Sequence, residues 1–137
     1  MTSKNTKITV LTNTDTDFYP VMGPFLSRRQ VVAEVGGTIW DEDGKRWIIA
    51  RGRDGAVDGF CAFVARGRAW WIESLYTVTG DPDLAGRLVQ AAVDRFAEGR
   101  PQLQATVRHP HVDAYTAAGF TIVKQTTNFS TLVRERP

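Results

Sequence analysis

Between residues 41 and 78 the chain runs through three apolar segments, "RWIIARG", "VDGFCAFVA" and "AWWIESLYTV", separated only by the short turns "RDGA" and "RGR" and preceded by "DEDGK". Connections this short leave no room for a crossover, so the three segments must be neighbouring antiparallel strands. Gly44 supplies the positive φ that the first turn needs. The middle segment has no polar alternation at all, which predicts a central strand covered on both faces. The period then changes. In "DPDLAGRLVQAAVDRFAEG" Leu84, Leu88, Ala91, Ala92 and Phe96 recur every three to four residues, predicting an amphipathic helix that ends at Gly99. Asp81 is its N-cap and Pro82 its first helical residue.

The flanking segments complete the pattern. "TKITVLTN" (6–13) reads as a strand. Pro20 and Pro24 break the next stretch into short helical pieces. A helix over 27–34 would begin with Ser27 as N-cap and stop at Gly36-Gly37. Further on, "PQLQATVRH" reads as a strand and "PHVDAYTAAG" as a short helix stopped by Gly119. "FTIVKQTTNFSTLVRE" reads as two short strands or one bent one. The order is strand, short helices, three strands, helix, strand, helix and one or two strands. It predicts one α/β domain over 1–137, with helices covering a mixed sheet.

Bulk properties exclude several classes. A chain of 137 residues holds one core. The net charge of +2 comes from dispersed basic residues, so no nucleic-acid stripe is evident. Cys61 is the single cysteine, which excludes an internal disulfide and points to a reducing, cytoplasmic setting. No apolar run has the length of a signal peptide core or a membrane span, so no membrane partner is expected. His109, His111 and Asp113 form a loose H-x-H-x-D without further ligands, and no metal site is expected.

Three segments together resemble the GNAT (Gcn5-related N-acetyltransferase) superfamily over about residues 8–134. They are the hairpin "VDGFCAFVARGRAWWIESLYTV", the amphipathic helix directly after it, and "HPHVDAYTAAGF", in which Tyr115 lies four residues before Gly119-Phe120. The resemblance implies an α/β (α+β) fold: a mixed, mainly antiparallel sheet of six to seven strands flanked by about four helices. It also implies an N-acyltransferase moving an acetyl group from acetyl-CoA to a primary amine on a small molecule, a protein or a modified nucleobase. By position, the backbone of Leu75, Tyr76, Thr77 and Val78 would meet the acyl and pantetheine parts of the donor. Gly80, Leu84, Ala85, Gly86 and Arg87 would meet its pyrophosphate, and His109 stands where asparagine is common. Tyr115 takes the place of the general acid. Glu73 is the implied base, with His109 or His111 acting through water as alternatives. The family's phosphate loop is usually Q/R-x-x-G-x-G/A. Here "TGDPDLAGRL" keeps Gly80 and Gly86, loses the middle glycine and adds Asp81 and Asp83.

The residues also carry readings of their own. A carboxylate in "WWIESL" must face a cleft or cap an edge, because burying Glu73 unpaired is costly. Trp70 and Trp71 point to opposite faces of their strand, one to the core and one toward a groove. Tyr115 read alone is an amphipathic aromatic packing the last helix onto the sheet. Cys61 reads as core packing. Residues 18–37 would wall an acceptor pocket with Phe18, Tyr19, Pro20, Pro24 and Phe25. Two other readings stand beside the acetyltransferase: DNA base modification of the phage Mom type, and a GNAT-like binding module without catalysis. The edge offered by "TTNFSTLVRE" could pair a homodimer.

Overall fold

The structure is a computed structural model that describes residues 6–26, 28–37, 39, 42–95 and 102–135. Strand β1 (Lys7–Leu11) leads into helices α1 (Phe18–Leu26) and α2 (Arg29–Val35). The meander follows as β2 (Arg46–Arg51), β3 (Val57–Arg66) and β4 (Ala69–Thr77), then α3 (Pro82–Asp94). Strand β5 (Gln102–Arg108), one 3₁₀ turn (His109–His111), α4 (Val112–Thr116), β6 (Thr121–Gln125) and β7 (Phe129–Glu135) complete the chain. All seven strands form one sheet in the order β1-β2-β3-β4-β5-β7-β6. Only the β4–β5 pair is parallel. The expected α/β class, the antiparallel meander and the central position of β3 are all present. Helix α2 starts one residue later than expected, with Arg28 as its N-cap, and α3 ends at Asp94 with Arg95 as its C-cap, short of the expected stop at Gly99. Ser27, Asp41, Phe96 and Gly99 themselves lie outside the described residues.

Each face of the sheet carries its own core. On one side α3 and α4 cover Ile48, Phe63, Trp70, Ile72 and Leu75. On the other, α1 and α2 cover Trp47, Ile49, Phe60 and Tyr76. Pro20 is tolerated in the first turn of α1, where backbone N–H groups have no intrahelical partner anyway, and Pro24 lies inside that helix. Trp70 stacks on Phe63 with ring centroids 4.5 Å apart, while Trp71 faces the opposite side, as strand alternation requires.

One irregularity positions everything functional. Across the β3–β4 ladder Phe60 pairs with Tyr76 and Ala62 with Glu73, so Ser74 and Leu75 together oppose Cys61. This is a β-bulge, and Ser74 takes a left-handed φ of 58° within it. The bulge shifts the alternation, so that Ile72 and Leu75 share one face and Glu73 and Tyr76 the other. It also bends β4 away from β5. The two strands pair only at Ala69–Gln102, Trp70–Leu103 and Trp71–Gln104, and beyond Trp71 they part.

The far end of β4 is held by β3 alone, and Gly59 is what lets it come close. A Cβ on Gly59 would lie 2.7 Å from the Tyr76 carbonyl oxygen and 3.2 Å from Leu88. Gly59→Ala should therefore lower stability by about 1–3 kcal/mol. Gly86, inside α3 with open space around a new Cβ, offers the contrast. Gly86→Ala should gain about 0.5–1 kcal/mol. Urea titrations with unchanged m-values would check both, and a neutral Gly59→Ala would show that β3 and β4 can yield.

Candidate active site

The parted strands leave an opening on each face of the sheet. On the α3–α4 side is a cleft of about 530 Å³, bounded by Thr77, Gly80, the first turns of α3 and the residues 110–118 around α4. On the α2 side is a second cleft of about 390 Å³, lined by Gly36, Gly37, Arg66, Trp71, Glu73, Ser74, Thr106 and Phe129. The end of α2 borders both, through Glu34 on one and Val35 on the other. Arg108 on β5 fastens it there by donating to the carbonyls of Ala33 and Glu34 at 3.3 and 3.4 Å. His111 Nε2 lies 3.3 Å from the Glu34 carbonyl. A cation at a helix C-terminus satisfies orphan carbonyls and matches the helix dipole. Gly36 ends α2 in a left-handed conformation, with Val32 accepting from the N–H groups of both Gly36 and Gly37.

Glu73 does not stand alone at the second cleft. Its Oε2 meets the Lys45 ammonium at 3.0 Å and its Oε1 the Arg66 guanidinium at 2.8 Å. Glu42 completes the cluster, 3.6 Å from Lys45 and in close contact with Arg66. Lys45 is fully buried, with its ammonium 5.2 Å from the Trp47 ring centroid. A buried ammonium is tolerable only because carboxylates and an aromatic face surround it. Arg66 holds the Glu42 carboxyl below the usual carboxylate range, and Lys45 adds to that effect.

Tyr115 is placed by its helix stop. The N–H of Phe120 reaches the Tyr115 carbonyl and that of Gly119 the Thr116 carbonyl, both at 3.1 Å, with Gly119 at φ 96°. This is a Schellman stop, and its apolar contact is the edge of one ring on the other, Tyr115 against Phe120 at 5.3 Å. The Tyr–x–x–x–Gly–Phe spacing thus has a local physical cause. Tyr115 is fully buried, and its hydroxyl has no hydrogen-bond partner among the described residues. Burial pushes the phenol well above its ordinary value, with smaller contributions from Cys61 and Glu73. Cys61, opposite the bulge, is pushed up to about 12 by burial, so it is a thiol and packs as one.

No family model matches the sequence, and no curated protein matches it. Solved structures do. A GCN5-related N-acetyltransferase from Kribbella flavida superposes with a TM-score of 0.70 at 17% identity, over 97% of this chain and 99% of that one. An acyl-CoA N-acyltransferase from Pseudomonas aeruginosa gives 0.69 at 12% identity, over 94% and 99%. Spermidine N-acetyltransferase from Vibrio cholerae, solved with CoA and spermine, gives 0.68 at 7% identity, over 97% and 96%. This chain has the GNAT fold. The match covers nearly the whole chain.

Within that fold the expected site residues divide. Thr77, Gly80, Ala85, Gly86 and Arg87 line the α3–α4 cleft, and Glu73 lines the second. The side chain of Leu75 is buried under α3, that of Leu84 packs from α3 into the same core, and that of Tyr76 is buried under α1 and α2, so among these only backbone on β4 can face the opening. The Val78 N–H is spent on the Asp58 carbonyl at 2.8 Å, and its side chain is exposed. His109 is turned elsewhere. Its Nδ1 lies 3.0 Å from Ser130 Oγ and its Nε2 3.1 and 3.0 Å from the carbonyls of Thr126 and Thr127. It ties down the β6–β7 turn instead of lining the α3–α4 cleft, because the ring nitrogens find their partners across the β5–β7 ladder. Among the described residues no cluster of His, Cys, Asp or Glu is placed to hold a metal. Lys45, Glu42, Arg66 and Arg108 belong to the site without any sequence signal, since each sits beside a turn or on a strand end that reads as a solvated charge.

The fit to a CoA-type donor is uneven. The unpaired β4 edge and the orphan Tyr115 hydroxyl both want a polar partner. At the N-terminus of α3, in contrast, the protein supplies its own acceptor: the Asp81 carboxylate takes the Asp83 N–H at 2.9 Å.

Two measurements test the cluster. Lys45→Met should cost about 2–3 kcal/mol, somewhat less than a fully buried pair because Arg66 still holds Glu73. Adding Glu73→Gln should recover about 1 kcal/mol in a double-mutant cycle, and strict additivity would remove the pairing. The Glu42 contribution is present above the ordinary carboxylate range and is lost as the pH falls through its lowered value. Glu42→Gln should therefore flatten the acid limb of the stability–pH curve.

Proposed function

We propose that this protein is an N-acyltransferase, carrying an acetyl or similarly small acyl group from a pantetheine thioester such as acetyl-CoA to a primary amine. The observation that carries the reading is the opening of β4 from β5. Tyr115 lines neither cleft, and its buried hydroxyl has no partner among the described residues. An acyl thioester supplies an activated carbonyl and a thiolate leaving group.

The chain's own residues supply the rest. Beyond Trp71 the β4 backbone lacks a strand neighbour on the β5 side, so its N–H groups can hold an acyl oxygen and stabilise charge that develops there. The α2-side cleft brings the amine from the opposite face. Trp71 and Phe129 give it apolar walls, and Glu73 gives it a carboxylate to attract an ammonium. Lys45 and Arg66 occupy both Glu73 oxygens, so Glu73 orients the amine and takes its proton only by exchanging one of these partners. Tyr115 keeps its proton through the neutral range, because burial disfavours the phenolate. It can release that proton to a departing thiolate.

The decisive experiment follows thiol release from acetyl-CoA and S-acetylpantetheine against a panel of polyamines, amino acids and aminated nucleosides. Consumption of either thioester with one amine class supports the reading, and no consumption across the panel overturns it. Tyr115→Phe separates chemistry from folding. The variant should keep or slightly raise stability, by up to about 1 kcal/mol, since it removes an unsatisfied buried hydroxyl. Its kcat should drop on the order of 10²-fold. Unchanged kcat would return Tyr115 to a packing role.

A further inference from the structure

The donor-side cleft carries the wrong charge for a nucleotide. Its walls include four carboxylates, Glu34, Asp81, Asp83 and Asp113, against the guanidinium of Arg87 and the imidazole of His111. Glu34 lies 3.9 Å from Arg108 and 3.8 Å from His111, so Asp81, Asp83 and Asp113 carry the excess. Arg87 donates to the Thr6 carbonyl at 3.3 Å. The first turn of α3 is the one long-helix N-terminus on this cleft, and Asp81 already accepts its Asp83 N–H. A helix start attracts anions through its open N–H groups and partial positive charge. Here the Asp81 carboxylate already takes one of those N–H groups, and Asp81 and Asp83 together oppose the partial positive charge. Gly80 and Gly86 leave space, since a Cβ at either would meet nothing within 4 Å, so the obstacle is charge and not bulk.

The other end of the cleft is different. Thr77 brings the parted edge of β4 into it, with backbone amides suited to the amide groups of a pantetheine arm. Resting on the acyltransfer reading above, we infer that this protein recognises its donor by the pantetheine thioester alone and gains nothing from the nucleotide phosphates of CoA. Its donor class is acyl-pantetheine thioesters, with acyl-CoA tolerated and not selected.

The test is calorimetric binding of S-acetylpantetheine, its 4′-phosphate and acetyl-CoA to the full chain, at low and at moderate salt. The three should bind within a few-fold of one another, and acetyl-CoA should bind more tightly as salt rises, because screening relieves a repulsion. A built phosphate site would show the opposite sign. The double variant Asp81→Ser, Asp83→Asn keeps a capping side chain at the helix start, so the fold is retained. It should bind acetyl-CoA at least about tenfold more tightly, the scale of one or two like charges removed. Its S-acetylpantetheine affinity should not move. Acetyl-CoA binding 100-fold tighter than S-acetylpantetheine and weakening with salt, or a double variant that gains nothing, would overturn this inference and leave acyl transfer standing. Failure of all three thioesters to bind would sink the acyltransfer reading and this inference with it.

Discussion

The parting of β4 from β5 is the constraint on which the rest of the molecule depends. A strand in mid-sheet normally satisfies backbone groups on both sides, and leaving one side open is unfavourable. The bulge at Ser74 imposes that opening, with a non-glycine residue held at positive φ. It persists because β3 grips the bent end of β4. Gly59 permits the close approach, and the Val78–Asp58 hydrogen bond extends the grip past the last paired residue. From this one irregularity follow the two clefts, the unpaired edge and the turn of Glu73 and Tyr76 toward the α2 side.

The two clefts are electrostatically unlike. On the α2 side the Lys45 ammonium is buried under Trp47, and it shares Glu42 and Glu73 with the exposed Arg66 guanidinium. On the α3 side carboxylates line the opening, and Asp81 takes one N–H of the helix start. A net charge of +2 conceals both arrangements, since it sums charges that never meet. The fold is that of the solved acetyltransferases it superposes on.

Helix α2 links the clefts. Its C-terminal carbonyls are held by Arg108 and approached by His111, two residues on the β5 side of the parting. The wall between the two clefts is therefore anchored to β5, the strand from which β4 parts.

The sequence by itself determined everything that rests on neighbours within a few residues. Turns of three or four residues made β2, β3 and β4 an antiparallel meander. Asp81-Pro82 began α3, and the Gly119-Phe120 stop set Tyr115 on its helix. Trp70 and Trp71 were assigned to opposite faces by the two-residue repeat of a strand. Tertiary structure alone decided the rest, because it depends on partners far apart in the chain. Lys45 beside Gly44 reads as a solvated turn residue, and only the approach of Glu73, twenty-eight positions on, makes its burial possible. His109 reads as a donor ligand by position, and only the β5–β7 ladder turns it to Ser130 and the carbonyls of the next turn. The bulge at Ser74 has no signature in "WWIESLYT", since serine is no better suited to positive φ than its neighbours. It arises from the mismatch between two strands, a quantity that neither strand contains alone.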